Sequence, residues 1–173
     1  VTALFSIIWF LEWRKNKKLK KMTLNKKMAP ASLALFVILL MTGCNPKPEK
    51  IAVGKDNCAE CKMTIMDPKF GGEIVTKKGK VFKFDDVHCI AVFLEHRGVE
   101  MSDIHQTLFT DYNNSNEFIK VNSVEFVVSS QFKSPMGGNA AAFKNKAEAN
   151  KKSAEIEGSK VTNWATLYNI LVK

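Results

Sequence analysis

Nine consecutive apolar residues, ending three positions before a cysteine, decide which part of this 173-residue chain can belong to a folded core. The run from Leu33 to Met41 follows Lys26 and Lys27 and leads into Thr42, Gly43 and Cys44. A basic stretch, an apolar segment too short to span a membrane comfortably and a small residue before a cysteine together make a lipoprotein signal. The expectation is cleavage before Cys44, acylation of that cysteine and anchoring to a membrane on its periplasmic or extracytoplasmic side. Several acyl chains hold firmly, because each buried CH2 adds about 0.8 kcal/mol. Residues 1–43 are then a leader outside the fold, residues 44–50 a proline-broken polar tether and residues 51–173 one domain. A second apolar stretch at residues 3–11 precedes the signal and the sequence begins at Val1, so translation is expected to start at Met22 or Met28, with residues 1–21 a gene-start artefact; the alternative is a genuine long n-region.

The formal charge of +9 suggests a nucleic-acid partner until its distribution is considered. Residues 1–43 carry eight Lys and Arg against a single acid, Glu12, leaving 18 basic and 16 acidic residues from position 44 onward. The mature part is nearly neutral and has no basic stripe interleaved with aromatics, which argues against nucleic acid. The positive charge sits where an export signal requires it, ahead of the apolar run.

Within residues 51–173 the pattern is α+β with mainly antiparallel strands. Residues 57–70 have little periodicity and are rich in Cys, Met and Lys. Residues 73–77 and 80–84 alternate as two strands around Lys78-Gly79, a hairpin signal. Asp85 or Asp86 then caps a helix with Val87, Ile90, Ala91 and Leu94 on one stripe, closed by Gly98. Strands are expected at 107–112, 118–121, 124–128 and, more weakly, 140–143. Residues 146–157 read as a helix supported by Glu148–Lys152 and Lys151–Glu155 pairs, with Ala147, Ala154 and Ile156 as its thin apolar face. A terminal helix carries Leu167, Ile170 and Leu171. Strand, strand and helix occur in that order twice, at 73–97 and again at 124–157, which hints at two ββα-type units without repeated residue identities.

The chemistry concentrates in Cys58-Ala59-Glu60-Cys61-Lys62-Met63, with Met66 close behind. Once Cys44 is acylated, Cys58, Cys61 and Cys89 remain, and an odd number of thiols outside the cytoplasm argues against a closed disulfide framework. Three readings stay open: a structural role, a thiol–disulfide redox pair and a metal site. A redox pair belongs at a helix N-terminus, and Met63 to Pro68 is a poor helix start. Zinc asks for four N or S ligands, and the only completion in sight is His88-Cys89, adjacent residues that rarely reach one ion together. The tetrahedral set therefore looks incomplete and zinc is expected to compete poorly. Cu(I) accepts two to four soft ligands, thioethers included, and Cys58, Cys61 and Met63 can converge within one loop. Met136, between Pro135 and Gly137, is a further loop candidate, although methionine also serves as a core filler. His88, Cys89 and Met66 are weaker candidates; Cys89 lies off the helix stripe and could face the cysteine loop. His96 and His105 read as surface residues. The loop at residues 57–68 is expected to carry little core. No Ser/His/Asp set, carboxylate pair or phosphate loop stands out, so no enzymatic activity is expected.

The lipobox at Cys44, the C-x-x-C-x-M at Cys58 to Met63, Gly72-Glu73-Ile74-Val75, Gly79 to Asp86, Phe126-Val127-Val128 and Ser134 to Gly137 together resemble the NosL-type nitrous oxide reductase accessory lipoproteins. The resemblance covers nearly all of residues 56–144. It implies a fold of two small ββα-type units and a Cu(I) chaperone that delivers copper to apo nitrous oxide reductase and its copper-maturation membrane complex. It also implies Cys61 and Met63 as leading ligands, Cys58 as partner thiol and Met136 as a fourth. Lys62 departs from the family, which usually has glycine there. The alternative function is a membrane-anchored thiol–disulfide oxidoreductase using Cys58 and Cys61.

Overall fold

The computed structural model describes residues 46–173, which belong to a compact unit, Cys44–Lys173. The leader and the lipidation residue Cys44 lie outside the described residues. Among the described residues no helix is long and apolar enough to cross a membrane.

Two antiparallel sheets and three α-helices make up the domain. Strands β1 (Gly72–Thr76), β2 (Val81–Phe84), β3 (Ile104–Thr110) and β4 (Phe118–Lys120) form a sheet in the order β2-β1-β3-β4. Strands β5 (Glu125–Val128), β6 (Ala140–Phe143) and β7 (Lys160–Asn163) form a second, in the order β6-β5-β7. Helix α1 (Val87–Glu95) follows β2, α2 (Lys146–Ala154) follows β6 and α3 (Trp164–Leu171) ends the domain. In each half the first strand pairs with the second, and the strand after the helix returns to its other side. The repeat expected from the element order is therefore a topological ββαβ repeat; β4 extends the first unit and α3 follows the second.

The β1–β2 turn is the expected one. Gly79 adopts φ +83° and donates its N–H to Thr76 O at 2.9 Å, while Thr76 N–H reaches Lys80 O at 2.8 Å. Asp86, not Asp85, caps α1 by accepting the His88 N–H at 2.9 Å. The helix closes differently from expectation: Arg97, at φ +53°, takes the left-handed position. Gly98 is required for space instead, since a Cβ there would lie 2.4 Å from the Phe93 ring. Helix α1 is also buried more widely than its stripe implied. Cys89 and Phe93, four apart, add a second buried face, and Phe93 packs on Phe82 and Phe84 with ring centroids at 4.9 and 5.1 Å.

Helix α2 departs most from the sequence reading. It ends at Ala154, and its buried residue is Ala149, while Ala147 and Ala154 face solvent. The ion pairs formed are Lys144–Glu148 at 3.9 Å and Lys152–Glu155 at 3.0 Å, not the expected two. Its short N-terminus, held by the Asn145 cap on Glu148 N–H, fixes the phase that puts Ala149 against the second sheet.

The two units share one core. Phe109 of β3 meets Phe126 of β5 edge-on at 4.9 Å, and Trp164 of α3 lies 4.7 Å from Phe109. A bridge between Asp111 and Ala142, with Tyr112 N–H on Ala142 O at 2.9 Å, joins the two sheets at the backbone.

Candidate metal site

The cysteine loop is a tight hairpin laid against the end of β2. Asn57 and Thr64 bridge across it, Cys58 N–H donates to Met63 O at 2.8 Å and Lys62 N–H to Cys58 O at 3.1 Å. Ala59 N–H donates to Lys83 O at 2.7 Å, which fixes the loop to the sheet. Closing so short a turn drives Lys62 to φ +66°, the left-handed region where a Cβ is unfavourable. That geometry explains why glycine suits this position, and the Lys62 ammonium partly compensates by reaching the Ala59 carbonyl. Contrary to expectation the loop carries core: Cys58 and Ile65 are fully buried, and Cys61 packs against the main cluster.

Four donors converge beneath this loop. The ligand atoms of Cys58, Cys61, Asp85 and Cys89 all lie within 4.8 Å of one another. Cys61 Sγ donates to the Asp85 carboxylate at 3.5 and 3.6 Å. Cys58, Cys89 and Asp85 are buried and Cys61 is half-buried at the mouth. Three segments contribute: the loop, the β2–α1 junction and the first turn of α1. Cys89 comes into reach because it lies on the second buried face of α1. All three thiols are free.

The thiols differ in acidity. The Cys89 thiol hydrogen-bonded to it lowers the Cys58 pKa to about 7, against the effect of burial. As the donor in that pair, and buried, Cys89 is held far above the ordinary thiol range. Burial pushes Cys61 up to about 11, aided by the Cys58 thiolate and the neighbouring Asp85. At neutral pH the inner Cys58 is thus about half ionised, while the outer Cys61 keeps its proton.

The candidate methionines are exposed. Met63 is 55% exposed, Met66 69% and Met136 37%. Met136 is held by its backbone: its N–H donates to Asp86 Oδ2 at 2.8 Å, and the same oxygen accepts the Ser134 hydroxyl at 2.6 Å. One carboxylate therefore caps α1 and fastens the Met136 loop beside the thiol cluster. Gly138 permits this approach, since a Cβ there would come within 2.3 Å of Asp86 Oδ1. His88, half-buried on the first turn of α1, lies outside the four-donor group.

Asp85 is the member that sequence reasoning missed, having been considered only as a helix cap. The available signal was the tandem Asp85-Asp86: only one can cap, and the other stands four residues before Cys89. The zinc-type set that the sequence left incomplete is completed by Asp85 and Cys89.

Comparisons with known proteins bear on the fold and on the family. The family model for NosL matches residues 50–171. The crystal structure of the copper chaperone NosL from Shewanella denitrificans superposes with a TM-score of 0.59 at 22% identity, covering 70% of this chain and 96% of that one. No curated protein matches.

Proposed function

Because this chain belongs to the NosL family, we propose that it is a non-enzymatic Cu(I) chaperone. In this reading it is anchored through acylated Cys44 on the extracytoplasmic side of a membrane, and it delivers copper to apo nitrous oxide reductase through that enzyme's membrane-bound maturation complex. The observation that carries the reading is the convergence of Cys58 and Cys61 in a C-x-x-C-x-M loop with Met63 exposed. Cu(I) is soft and satisfied by two to four sulfur donors. Cys61 and Met63 are its leading ligands, Cys58 the partner thiolate and Met136 a further thioether. The copper chaperone NosL from Shewanella denitrificans has the same fold, which supports this assignment.

The geometry disfavours the oxidoreductase alternative. A redox pair of the thioredoxin type needs an accessible, low-pKa thiolate to attack a substrate disulfide. Here the low-pKa sulfur, Cys58, is buried, and the accessible one, Cys61, has its pKa raised to about 11. Anaerobic competition titration against a Cu(I) chelator tests the proposal. The expected result is one tightly held Cu(I) per chain with a near-UV thiolate charge-transfer band. Turnover of a disulfide substrate without metal, with no such band, would establish the oxidoreductase instead.

A further inference from the structure

We propose that Lys47, Lys50, Lys55, Lys77, Lys78 and Lys80 form a face that docks on anionic phospholipid headgroups and sets how the domain lies on its membrane. The anchor at Cys44 holds the domain at the surface, and this face decides which side of it meets the lipid. The orienting role rests on the anchor reading above; the affinity for an anionic lipid surface does not.

Charge is the first argument. Residues 44–83 hold nine bases against five acids, and residues 84–173 hold nine against eleven. The positive excess of the mature chain therefore lies entirely in the part that runs to the end of the β1–β2 hairpin. The six lysines are exposed and enter no ion pair among the described residues. The acids of the same segment are engaged. Glu49 and Asp56 lie 3.4 and 2.9 Å from Lys83 Nζ, and Glu60 lies 3.3 Å from His96. Asp67 accepts the Lys69 N–H at 3.1 Å, and Glu73 is fully buried.

Placement is the second. The register sets Glu73 opposite Lys83, and successive side chains of a strand alternate between faces. Phe82 and Phe84 pack on Phe93 of α1, so Lys83 and Glu73 point to the other face. The chain entering the domain is docked there. Glu49 N–H donates to Glu73 at 3.2 Å, and Lys83 Nζ donates to the Lys50 carbonyl at 3.1 Å. Lys47, Lys50 and Lys55 thus border the side of the β1–β2 hairpin that α1 leaves free. No more than about 11 Å of chain leads from Lys83 to Lys80 at the hairpin tip. Four residues separate Cys44 from Glu49, so the acylated end joins the domain on this same side.

Chemistry is the third. Between Lys50 and Lys55 a turn that places Gly54 at φ +74° exposes Val53. An apolar side chain flanked by lysines suits the boundary between headgroups and acyl chains. The face is built of lysine alone, and the one arginine of the mature chain, Arg97, follows α1. Lysine is a flexible point charge that suits mobile headgroups, whereas arginine's fixed fork suits the carboxylates of a protein partner. Attraction to the lipid fades over a Debye length of about 8 Å at physiological salt, a gap that the short tether keeps within reach.

The test uses the mature chain purified from membranes and reconstituted into vesicles of phosphatidylcholine alone or of equal parts phosphatidylcholine and phosphatidylglycerol. Amine acetylation is followed at each lysine by mass spectrometry. We expect the six lysines to react about threefold or more slowly on the phosphatidylglycerol vesicles, with Lys146, Lys151 and Lys160 unchanged. About 1 M salt should abolish the difference. Combined Lys77→Glu, Lys78→Glu and Lys80→Glu should restore fast reaction at Lys50 and Lys55, with circular dichroism confirming that the variant folds. Equal rates on the two vesicle types overturn the proposal and leave these lysines to an acidic protein surface. Equal slowing of Lys146, Lys151 and Lys160 overturns the oriented face. Protection reproduced by inorganic phosphate on phosphatidylcholine vesicles assigns a free anion and overturns the lipid. Flotation separates the face from the anchor. A chain that floats with phosphatidylglycerol vesicles at low salt, but with neither type at high salt, keeps the face and loses the anchor; salt-resistant flotation with both types and no lysine protection does the reverse.

Discussion

Cys58 and Cys61 differ in the protonation state that metal binding must change, and the difference is measurable. With Cys61 raised to about 11, its proton must leave across the whole neutral range. Cys58, at about 7, carries a proton only below that pH. Cu(I) affinity should therefore rise with pH, about tenfold per unit for each proton released. The slope should approach two protons below pH 7 and fall to one between 7 and 11. Chelator competition at several pH values checks this; a flat profile would mean that thiolates do not hold the metal. Cys61→Ser should remove the upper slope and weaken binding by on the order of 100-fold, against about tenfold or less for Met63→Leu, because a thioether contributes neither charge nor proton release. A second residue-scale prediction concerns Lys62 at φ +66°. Glycine there relieves about 1 kcal/mol of left-handed strain but adds about as much unfolded-state entropy. Lys62→Gly should leave stability within about 1 kcal/mol of wild type, whereas the β-branched Lys62→Val should destabilise by more than that. Equal melting temperatures for the two variants would show that the turn is not constrained. The cysteines and methionines were legible as candidates because soft donors at short spacing need no long-range information. Asp85 was not, because its distance to Cys61 depends on how β2 and the loop are laid together.

Strand β1 and the Asp86 junction position the site, and each makes a prediction. Glu73 is fully buried on β1, accepting the Glu49 N–H at 3.2 Å, with cross-strand neighbour Lys83 tied to Asp56. Burial raises its pKa from 4.5 to about 7. The folded state then binds more protons than the unfolded state between those values, so stability falls as pH rises from about 4.5 to 7, by roughly 3 kcal/mol at most. Thermal melts from pH 5 to 7 should show this loss, and Glu73→Gln should flatten it; a wild-type melting temperature that climbs over that range contradicts the assignment. Asp86→Ala removes the α1 cap together with the bonds from Ser134 and Met136, and should cost about 2–4 kcal/mol in denaturant unfolding. A loss near 0.5 kcal/mol would mean that the junction is held by packing instead. Elements with a strong local period or turn were legible: the β1–β2 hairpin and the cap region and stripe of α1; strand β6, Ala-Ala-Ala-Phe, carried only a weak signal. Helix α2 was misphased because its composition is polar on every side. Only contact with β5 and β6 selects Ala149 over Ala147 and Ala154, and no period in the sequence records that choice.

At the scale of the whole molecule the two ββαβ units are not independent, since Phe109, Phe126 and Trp164 belong to one cluster that crosses between them. The metal loop is therefore supported from both halves, directly by Lys83 of β2 and indirectly through the Met136 loop that precedes β6. The same β2 residue holds the start of the domain: Lys83 Nζ reaches the Lys50 carbonyl at 3.1 Å and Asp56 at 2.9 Å. Glu49 is docked on Glu73 next to it. Only four residues separate Cys44 from Glu49, and the five Cα-to-Cα steps reach roughly 17 Å when fully extended. Acylation of Cys44 would consequently hold the β1–β2 side of the domain, and with it the cysteine loop that hangs from Lys83, close to the membrane surface. That placement suits transfer to a membrane-bound complex better than to a freely diffusing client. Cys44→Ser should abolish palmitate labelling and signal cleavage, leaving an uncut precursor. Cu(I) affinity, measured on the solubilised chain, should be unchanged, because the candidate ligands are Cys58, Cys61, Met63 and Met136. Copper delivery in cells should fall nonetheless, because the domain is no longer held at mature length beside its acceptor. A Cys44→Ser protein that still labels with palmitate and fractionates with membranes at the mature size would show that the anchor lies elsewhere. Undiminished delivery by an unacylated form would show that proximity to the membrane is not what directs the copper.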